Sequence, residues 1–389
     1  MKYFQLCFTS LGLALMLSSQ ASAQSYPPAW SSSASYSIGD QVQLAGNVLR
    51  ATHAMSAGSF RYSYWELWEV RANTNIMVGI GGQFTTLASA WNYAANVRVA
   101  QGAYLHLFIL NNHTENLNAP FSLNHPFGAK ISIIGQNGAN DVFNFTAAAD
   151  GFDLDSGHTF AGLSNLTING PAGGSSTHPA FEVQHGAYLA SLSSLTIANF
   201  DLGFETDYSG EIDNITKVQL NQFLYGAAAS GNGTLVFSTP MIVDGKNTTR
   251  ATPAFGFSAS DGGQIYAAPS SEADNCTIGF QASAGGRINA NGTKVANPNG
   301  DNQYGYYSNN RGVIHADGTT VSGVGIGYYS RSGSFISAQN ASASACSNWC
   351  YEAFTGGIID GTGAMPNDNI TGMTQSGPTD GSYIFIYPG

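Results

Sequence analysis

Charge is scarce in this chain. Only 10% of its 389 residues are Asp, Glu, Lys or Arg, with 13 cations against 24 acids and a net charge of −11. Scattered cations in an acidic chain cannot assemble a basic surface, which excludes a nucleic-acid partner. Beyond residue 23 no apolar run is long enough to cross a bilayer, so the chain is not membrane-spanning. Helical heptads are missing from the region 151–360. Of the 4 cysteines, none stands with histidines in a zinc-binding spacing. Cys7 has no apolar run before it and does not read as a lipid anchor. Cys276 is left odd and is expected to be buried. Cys346 and Cys350 are close enough to pair in an oxidising compartment, and so short a loop also suits two free thiols.

The first residues, MKYFQLCFTSLGLALMLSSQASAQ, place one lysine before a short apolar run ending in Ala21-Ser22-Ala23. This is the layout of a secretory signal peptide, 1–23, cleaved after Ala23. It predicts a secreted, periplasmic or cell-surface protein.

What the chain has in abundance is glycine, 47 residues, and it uses them periodically. GFSASDGGQI (Gly256 to Ile265) returns 23 residues later as GFQASAGGRI (Gly279 to Ile288). The same unit, a small residue, an aromatic and an apolar residue nine places after the first, begins at Gly151, Ala180, Gly203, Gly226, Gly256, Gly279, Gly305, Gly327 and, in degenerate form, Cys350. Each copy has a glycine six or seven places on: Gly157, Gly186, Gly210, Gly233, Gly262, Gly285, Gly312, Gly333 and Gly356. The offset within a copy is constant while the intervals between copies vary from 22 to 30 residues, the signature of a rigid unit with variable loops. Period-2 segments such as Leu166–Ile168 and Ile288–Ala290 make the unit a pair of short strands joined by a glycine turn. Such a unit cannot bury its apolar face alone and must stack on copies of itself. The fold class expected is therefore all-β, a right-handed parallel β-helix of nine or more coils. The alternative is a glycine-rich β-sandwich with accidental similarity. In the β-helix, equivalent residues pile up about 4.8 Å apart. Phe152, Phe181, Phe204, Ala227, Phe257, Phe280, Tyr306, Tyr328 and Tyr351 then form an inner aromatic file.

The β-helix is assigned to 73–363, with a helix near 84–96 (capped by Thr85 or Thr86) plugging its N-terminal end. The segment 364–389 is read as a C-terminal strand or cap. Residues 24–72 form a small β module with strands at Gln41–Leu44 and Val48–Ala51. It holds Trp30, Trp65 and Trp68. These either build a tiny core or stack on sugar rings.

Trp30-x5-Tyr36-x2-Gly39-Asp40-x-Val42, with Gly46, Ala51 and Trp68-Glu69, resembles the small chitin-binding-type module of bacterial chitinases, related modules of which occur in phage tail proteins. The stretch from Gly82 to about Gly363, and within it FSLNHPFGAKISIIG (Phe121 to Gly135), resembles right-handed β-helix proteins of the pectin-lyase type, phage tail spikes and tail fibres above all. The resemblance implies recognition of a surface polysaccharide, homotrimeric assembly and, in some members, depolymerase activity. The Asn-Thr-Asp, Asp-Asp, Gly-His-Gly and Arg-Ile-Lys signatures of the polygalacturonan hydrolases are absent. No arginine falls between Arg98 and Arg250 to serve a lyase.

Residues two and four places after each anchor alternate with the inward aromatic and so face outward. In the first three copies these columns hold Asp153 and Asp155, Glu182 and Gln184, Glu205 and Asp207; later copies put Ala228, Ser258, Gln281, Tyr307 and Tyr329 in the first of them. The five acids are candidate catalytic carboxylates of a glycoside hydrolase, spaced within reach of its two geometries. His158 and His185 stand nearby. The alternatives are a solvated acidic face or a structural Ca2+ site. Tyr307 and Tyr329 are candidate saccharide-binding residues beside Trp30, Trp65 and Trp68, or ordinary surface tyrosines. Ten Asn-x-Ser/Thr sequons read as turn chemistry recurring with the coil. Three functions follow: an exported saccharide-binding β-helix, a polysaccharide hydrolase, or a structural spacer or adhesin.

Overall fold

The computed structural model describes residues 27–171, 178–221, 223–244, 255–296, 304–366, 373–375 and 381–385. The expected signal peptide, 1–23, and the last residues of the tail lie outside them. The chain divides into two compact units, the boundary falling between Trp68 and Glu69.

In the first unit, strands Gln41–Leu44 and Asn47–Ala51 pair antiparallel through the Ala45-Gly46 turn, where both residues take positive φ. Val42, Ala51 and Trp65 are its buried centre, with Trp30, Tyr36, Leu49, Met55, Phe60 and Tyr64 packed around them.

The second unit is a parallel β-solenoid of about 11 turns. One sheet takes a single strand from each turn, 11 in all, from Phe121–Ser122 to Met373–Gln375. Most of the other strands join a 24-stranded sheet, whose own file Ile265, Ile288, Ile314, Ile336 and Ile359 is in register rung by rung. The expected repeat is thus one turn per copy. The first strands are Thr74–Val78, Leu105–Ile109 and Ile131–Gly135, paired in that order.

Phe152, Phe181, Phe204, Phe257, Phe280, Tyr306, Tyr328 and Tyr351 are each at most 1% exposed. They form the inner file, with successive rings 4.6 to 5.9 Å apart wherever two aromatics follow one another. Ala227 leaves a gap in it. Phe237, from the other sheet, fills that gap, edge-on to Phe204 at 6.0 Å and to Phe257 at 5.5 Å. Where the file changes from Phe to Tyr, the facing turn changes too. The Tyr306 hydroxyl meets Thr293 Oγ1 at 2.8 Å and the Tyr328 hydroxyl meets Thr319 Oγ1 at 2.7 Å. The equivalent turn position then becomes Ala341 and Ala364, and the buried Tyr351 hydroxyl has no partner.

The glycine of the turn is needed for either of two reasons. Gly186 has φ +74°, open to glycine at little cost, and a Cβ on Gly210 would lie 1.9 Å from the Val183 carbonyl of the adjacent rung. Six sequon asparagines, Asn112, Asn165, Asn214, Asn232, Asn275 and Asn340, also take positive φ, as expected of turn residues.

The α-helix spans Leu87–Ala94, shorter than the sequence suggests, and Thr86 is its cap, accepting from Ser89 N. Glu115 Oε2 accepts from Leu87 N at its start (2.7 Å) and His125 Nε2 donates to the Ala94 carbonyl at its end (2.9 Å). No helix among the described residues is long and apolar enough to cross a membrane. Cys346 and Cys350 are joined by a disulfide, and Cys276 is buried, its thiol donating to the Asp274 carbonyl at 3.3 Å.

Candidate functional site

The pleat of the 11-stranded sheet places the carboxyls. Phe152 and Leu154 point inward, so Asp153 points out; Glu182 and Glu205 are its register partners on the next two rungs. The file continues as Ala228, Ser258, Gln281, Tyr307, Tyr329 and Glu352. Three carboxyls on consecutive rungs are held about 4.8 Å apart by backbone hydrogen bonding, whatever their charges prefer.

A fourth acid joins them. Asp150 precedes the anchor Gly151, whose missing side chain lets the rungs approach: a Cβ there would lie 2.4 Å from the Ala180 carbonyl. Asp150 Oδ1 is hydrogen-bonded to His178 Nδ1 at 2.9 Å, and its charge acts on Glu182. Neither Asp150 nor His178 lies in the columns after the anchor that the repeat marks as outward. The column just before it, beginning with Asp150, also faces outward and carried the signal.

Burial is the first cause of the shifted acidities. Glu182 is raised to about 7 by burial, then by the charges of Asp150, Glu205 and Asp153 and its hydrogen bond with Asp150. Glu205 is raised to about 7 by burial, then by Asp207 and Asp150. Burial also raises Asp153, reinforced by Asp155 and Asp150 and opposed by Gln184; its Oδ1 is buried without a hydrogen-bond partner. Near neutrality the file therefore mixes carboxylic acids, which donate, with carboxylates, which accept.

Asp155 and Asp207 stand apart at the turns. For Asp155, burial is outweighed by hydrogen bonds from His185 (2.8 Å) and the Ser156 amide, which leave it below its ordinary value. Asp207 accepts from Ser230 Oγ at 2.8 Å and Tyr208 N at 2.7 Å. His185 stacks on Tyr208 at 4.9 Å, so it serves the turn. Among the described residues no group of three or more His, Cys, Asp or Glu side chains is arranged to hold a metal ion.

Three of the expected sugar contacts are placed otherwise. Tyr307 and Tyr329 point out of the sheet but are only 7% and 9% exposed. They stack on each other at 5.4 Å and pack against Ile278, with Tyr304, Ile326 and Phe255 around them. Alternation fixed their direction, but the large residues of the column before the anchor cover them, so they are no open track. Trp65, 8% exposed, is core and offers no face to a ligand. Trp30 is half-buried, its ring 5.3 Å from Phe60. Trp68 carries the Arg50 guanidinium 3.9 Å over its ring.

No family model, curated protein or solved structure matches this chain. The resemblance to pectin-lyase-type helices, phage tail proteins and chitin-binding modules rests on the sequence motifs alone.

Proposed function

We propose that the protein is an exported saccharide-binding β-helix, right-handed and of the pectin-lyase type, with the helix Leu87–Ala94 as its N-terminal cap. The outer face of the 11-stranded sheet is its glycan-binding surface. One observation carries this reading: Asp153, Glu182 and Glu205 occupy one outward file on consecutive rungs, with Asp150 beside them. A row of fixed acceptors and donors suits the repeating hydroxyls of an extended sugar chain. The partner is a polysaccharide or cell-surface glycan. Binding on an immobilised glycan panel is expected, and Glu182→Gln with Glu205→Gln should weaken it at least tenfold. A panel without binders, or unchanged binding by the double variant, overturns the reading.

A second reading is favoured by the acidity of Glu182 and Glu205, both near 7, where a general acid works best at neutral pH. As a glycoside hydrolase, the protein would transfer the Glu182 proton to the glycosidic oxygen as that oxygen takes the electron pair of the breaking C–O bond. At about 4.8 Å the pair has the spacing of a retaining enzyme, so ionised Glu205 would bond to the anomeric carbon as the C–O bond breaks, and water, passing its proton back to Glu182, would then displace it and supply the new hydroxyl. Release of reducing ends from a polysaccharide panel tests this. Glu182→Gln should abolish the release, and unchanged turnover removes Glu182 from the chemistry.

A further inference from the structure

The turns of three consecutive rungs border a cavity of about 420 Å³ that neither reading uses. Ala284 and Gly285 line it from the first rung, Asn310 and Arg311 from the second, and Ser332 from the third. Its size falls within the about 300–1,000 Å³ of small-molecule pockets and is far more than a lone oxyanion fills. The repeat explains the room. Gly285 and Gly333 hold the positions equivalent to Arg311 on the rungs before and after it, at φ +80° and +70°, and a Cβ on either would meet nothing within 4 Å. Arg311 takes the same left-handed conformation, φ +67°, which is unfavourable to any residue with a Cβ. The chain thus gives up backbone ease to set one long cationic side chain between two glycines.

The turn amides are already satisfied between rungs. Gly285 N donates to the Asn310 carbonyl at 3.2 Å and Arg311 N to the Ser332 carbonyl at 3.3 Å. Recognition therefore falls to side chains. Those of Asn310, Arg311 and Ser332 make no hydrogen bond or ion pair among the described residues. A second guanidinium stands beside them. Arg331 precedes Ser332 and leans back over the Tyr307 ring, 5.5 Å from its centre, on the rung of Arg311. Neither arginine has a carboxylate partner among the described residues, and Asp261 and Glu352, the nearest acids in the repeat, stand one rung beyond the cavity on either side. Asn309, next to Asn310 and 9% exposed, adds a buried Oδ1 without a partner, while its Nδ2 donates to the Tyr307 hydroxyl at 2.9 Å.

We propose that this cavity binds an anionic saccharide, a sugar ring bearing a carboxylate or a phosphate. The forked donors of Arg311 and Arg331 would hold the oxyanion. Asn310, Ser332 and the orphaned acceptor of Asn309 would meet ring hydroxyls, which both donate and accept. Glu205, the last member of the acid file, lies three rungs, about 14 Å, before the first rung of the cavity, beyond the about 10 Å over which exposed charges act at 0.1 M salt. The site is therefore independent of the acid file and of both readings built on it.

Calorimetric titration of the full chain with D-glucuronate and with glucose 6-phosphate tests this, with D-glucose as the neutral sugar and inorganic phosphate as the bare anion. Saturable millimolar binding of at least one anionic sugar is expected, about tenfold or more tighter than glucose or phosphate. Arg311→Gly should weaken it about tenfold or more, with the melting temperature unchanged or raised, because glycine suits the conformation of this turn. Loss of binding then cannot be loss of the fold. Should Arg311→Gly melt lower, Arg331→Gln, which should also weaken binding, decides alone. Glu182→Gln with Glu205→Gln should leave this binding unchanged, whatever it does on a glycan panel, so the two surfaces succeed or fail separately. No saturable binding of either anionic sugar, glucose or phosphate bound as tightly as they are, or unchanged affinity in Arg311→Gly overturns the proposal.

Discussion

Replacing Phe237 with alanine is expected to destabilise the solenoid by about 3–5 kcal/mol, the range for truncating a buried phenylalanine. The magnitude follows from its position. Phe237 is 3% exposed and fills the one gap in the inner file, between Phe204 at 6.0 Å and Phe257 at 5.5 Å. Both neighbours are locked on parallel strands about 4.8 Å per rung apart and cannot collapse into the void. Ala227→Phe alone should cost about 1–3 kcal/mol, because its ring would compete with Phe237 for the same space. Together the two substitutions move the ring from one sheet to the other and restore an unbroken file. The double variant should therefore be more stable than Phe237→Ala, with a favourable coupling of about 1–3 kcal/mol. Urea unfolding of the four proteins, followed by far-ultraviolet circular dichroism with denaturant slopes compared, measures it. Additive effects, or a loss below about 1 kcal/mol for Phe237→Ala, refute the reasoning that gap and filler are one packing unit.

Further outcomes are expected from the same geometry. Tyr351→Phe should leave stability unchanged or raise it by up to about 1 kcal/mol, since it removes a buried hydroxyl without a partner; Tyr328→Phe should cost about 1 kcal/mol, since it breaks the bond to Thr319, and thermal melts separate the two. Reducing Cys346–Cys350, or replacing both by serine, should cost about 2 kcal/mol, as expected for so short a loop, read from melts with and without reductant. His125 is 2% exposed, with Nε2 donating to Ala94 O and Nδ1 accepting from Phe127 N. Burial lowers its pKa, opposed by the bond to Ala94 and aided by His158. A folded value below the unfolded one makes its contribution present above about pH 6.5 and lost progressively as pH falls below it. Amide exchange in Leu87–Ala94 should therefore accelerate on acidification, and His125→Gln should flatten that dependence.

The solenoid was legible because each copy of the repeat is one turn, so the sequence interval is the structure's own period. The aromatic file, the turn glycines and the outward acids all follow from that single alignment. What escaped it lies off the alignment. Phe237 comes from the other sheet and is called in by an alanine, which no inspection of one column reveals. Asp150 stands before the anchor, and its role depends on a lateral hydrogen bond. Tyr307, Tyr329 and Trp65 show the opposite limit. Periodicity says which way a side chain points from its strand, but whether that direction ends in solvent depends on the bulk of neighbouring columns. Here Tyr304, Ile326 and Ile278 supply that bulk.

The acid file is also where the chain acts against its own stability. At about 4.8 Å and an effective dielectric near 20, two adjacent carboxylates repel by about 3 kcal/mol. Further along the same file the chain uses Ala228, Ser258 and Gln281, which avoid this repulsion with no change of fold. Backbone register prevents the acids from separating; burial first, and the charges of nearby acids after it, raise Glu182 and Glu205 to about 7. Their folded pKa lies above the unfolded one, so the stabilisation they give is complete below about pH 4.5 and is lost as pH rises through 7. This slope is opposite in sign to that of His125. Glu182→Gln with Glu205→Gln should remove the decline between pH 5 and 8 and make the solenoid more stable at pH 8 than the parent. A double variant that loses stability at pH 8 would show that the file is structural, and that the acids are kept for the fold and not for a ligand.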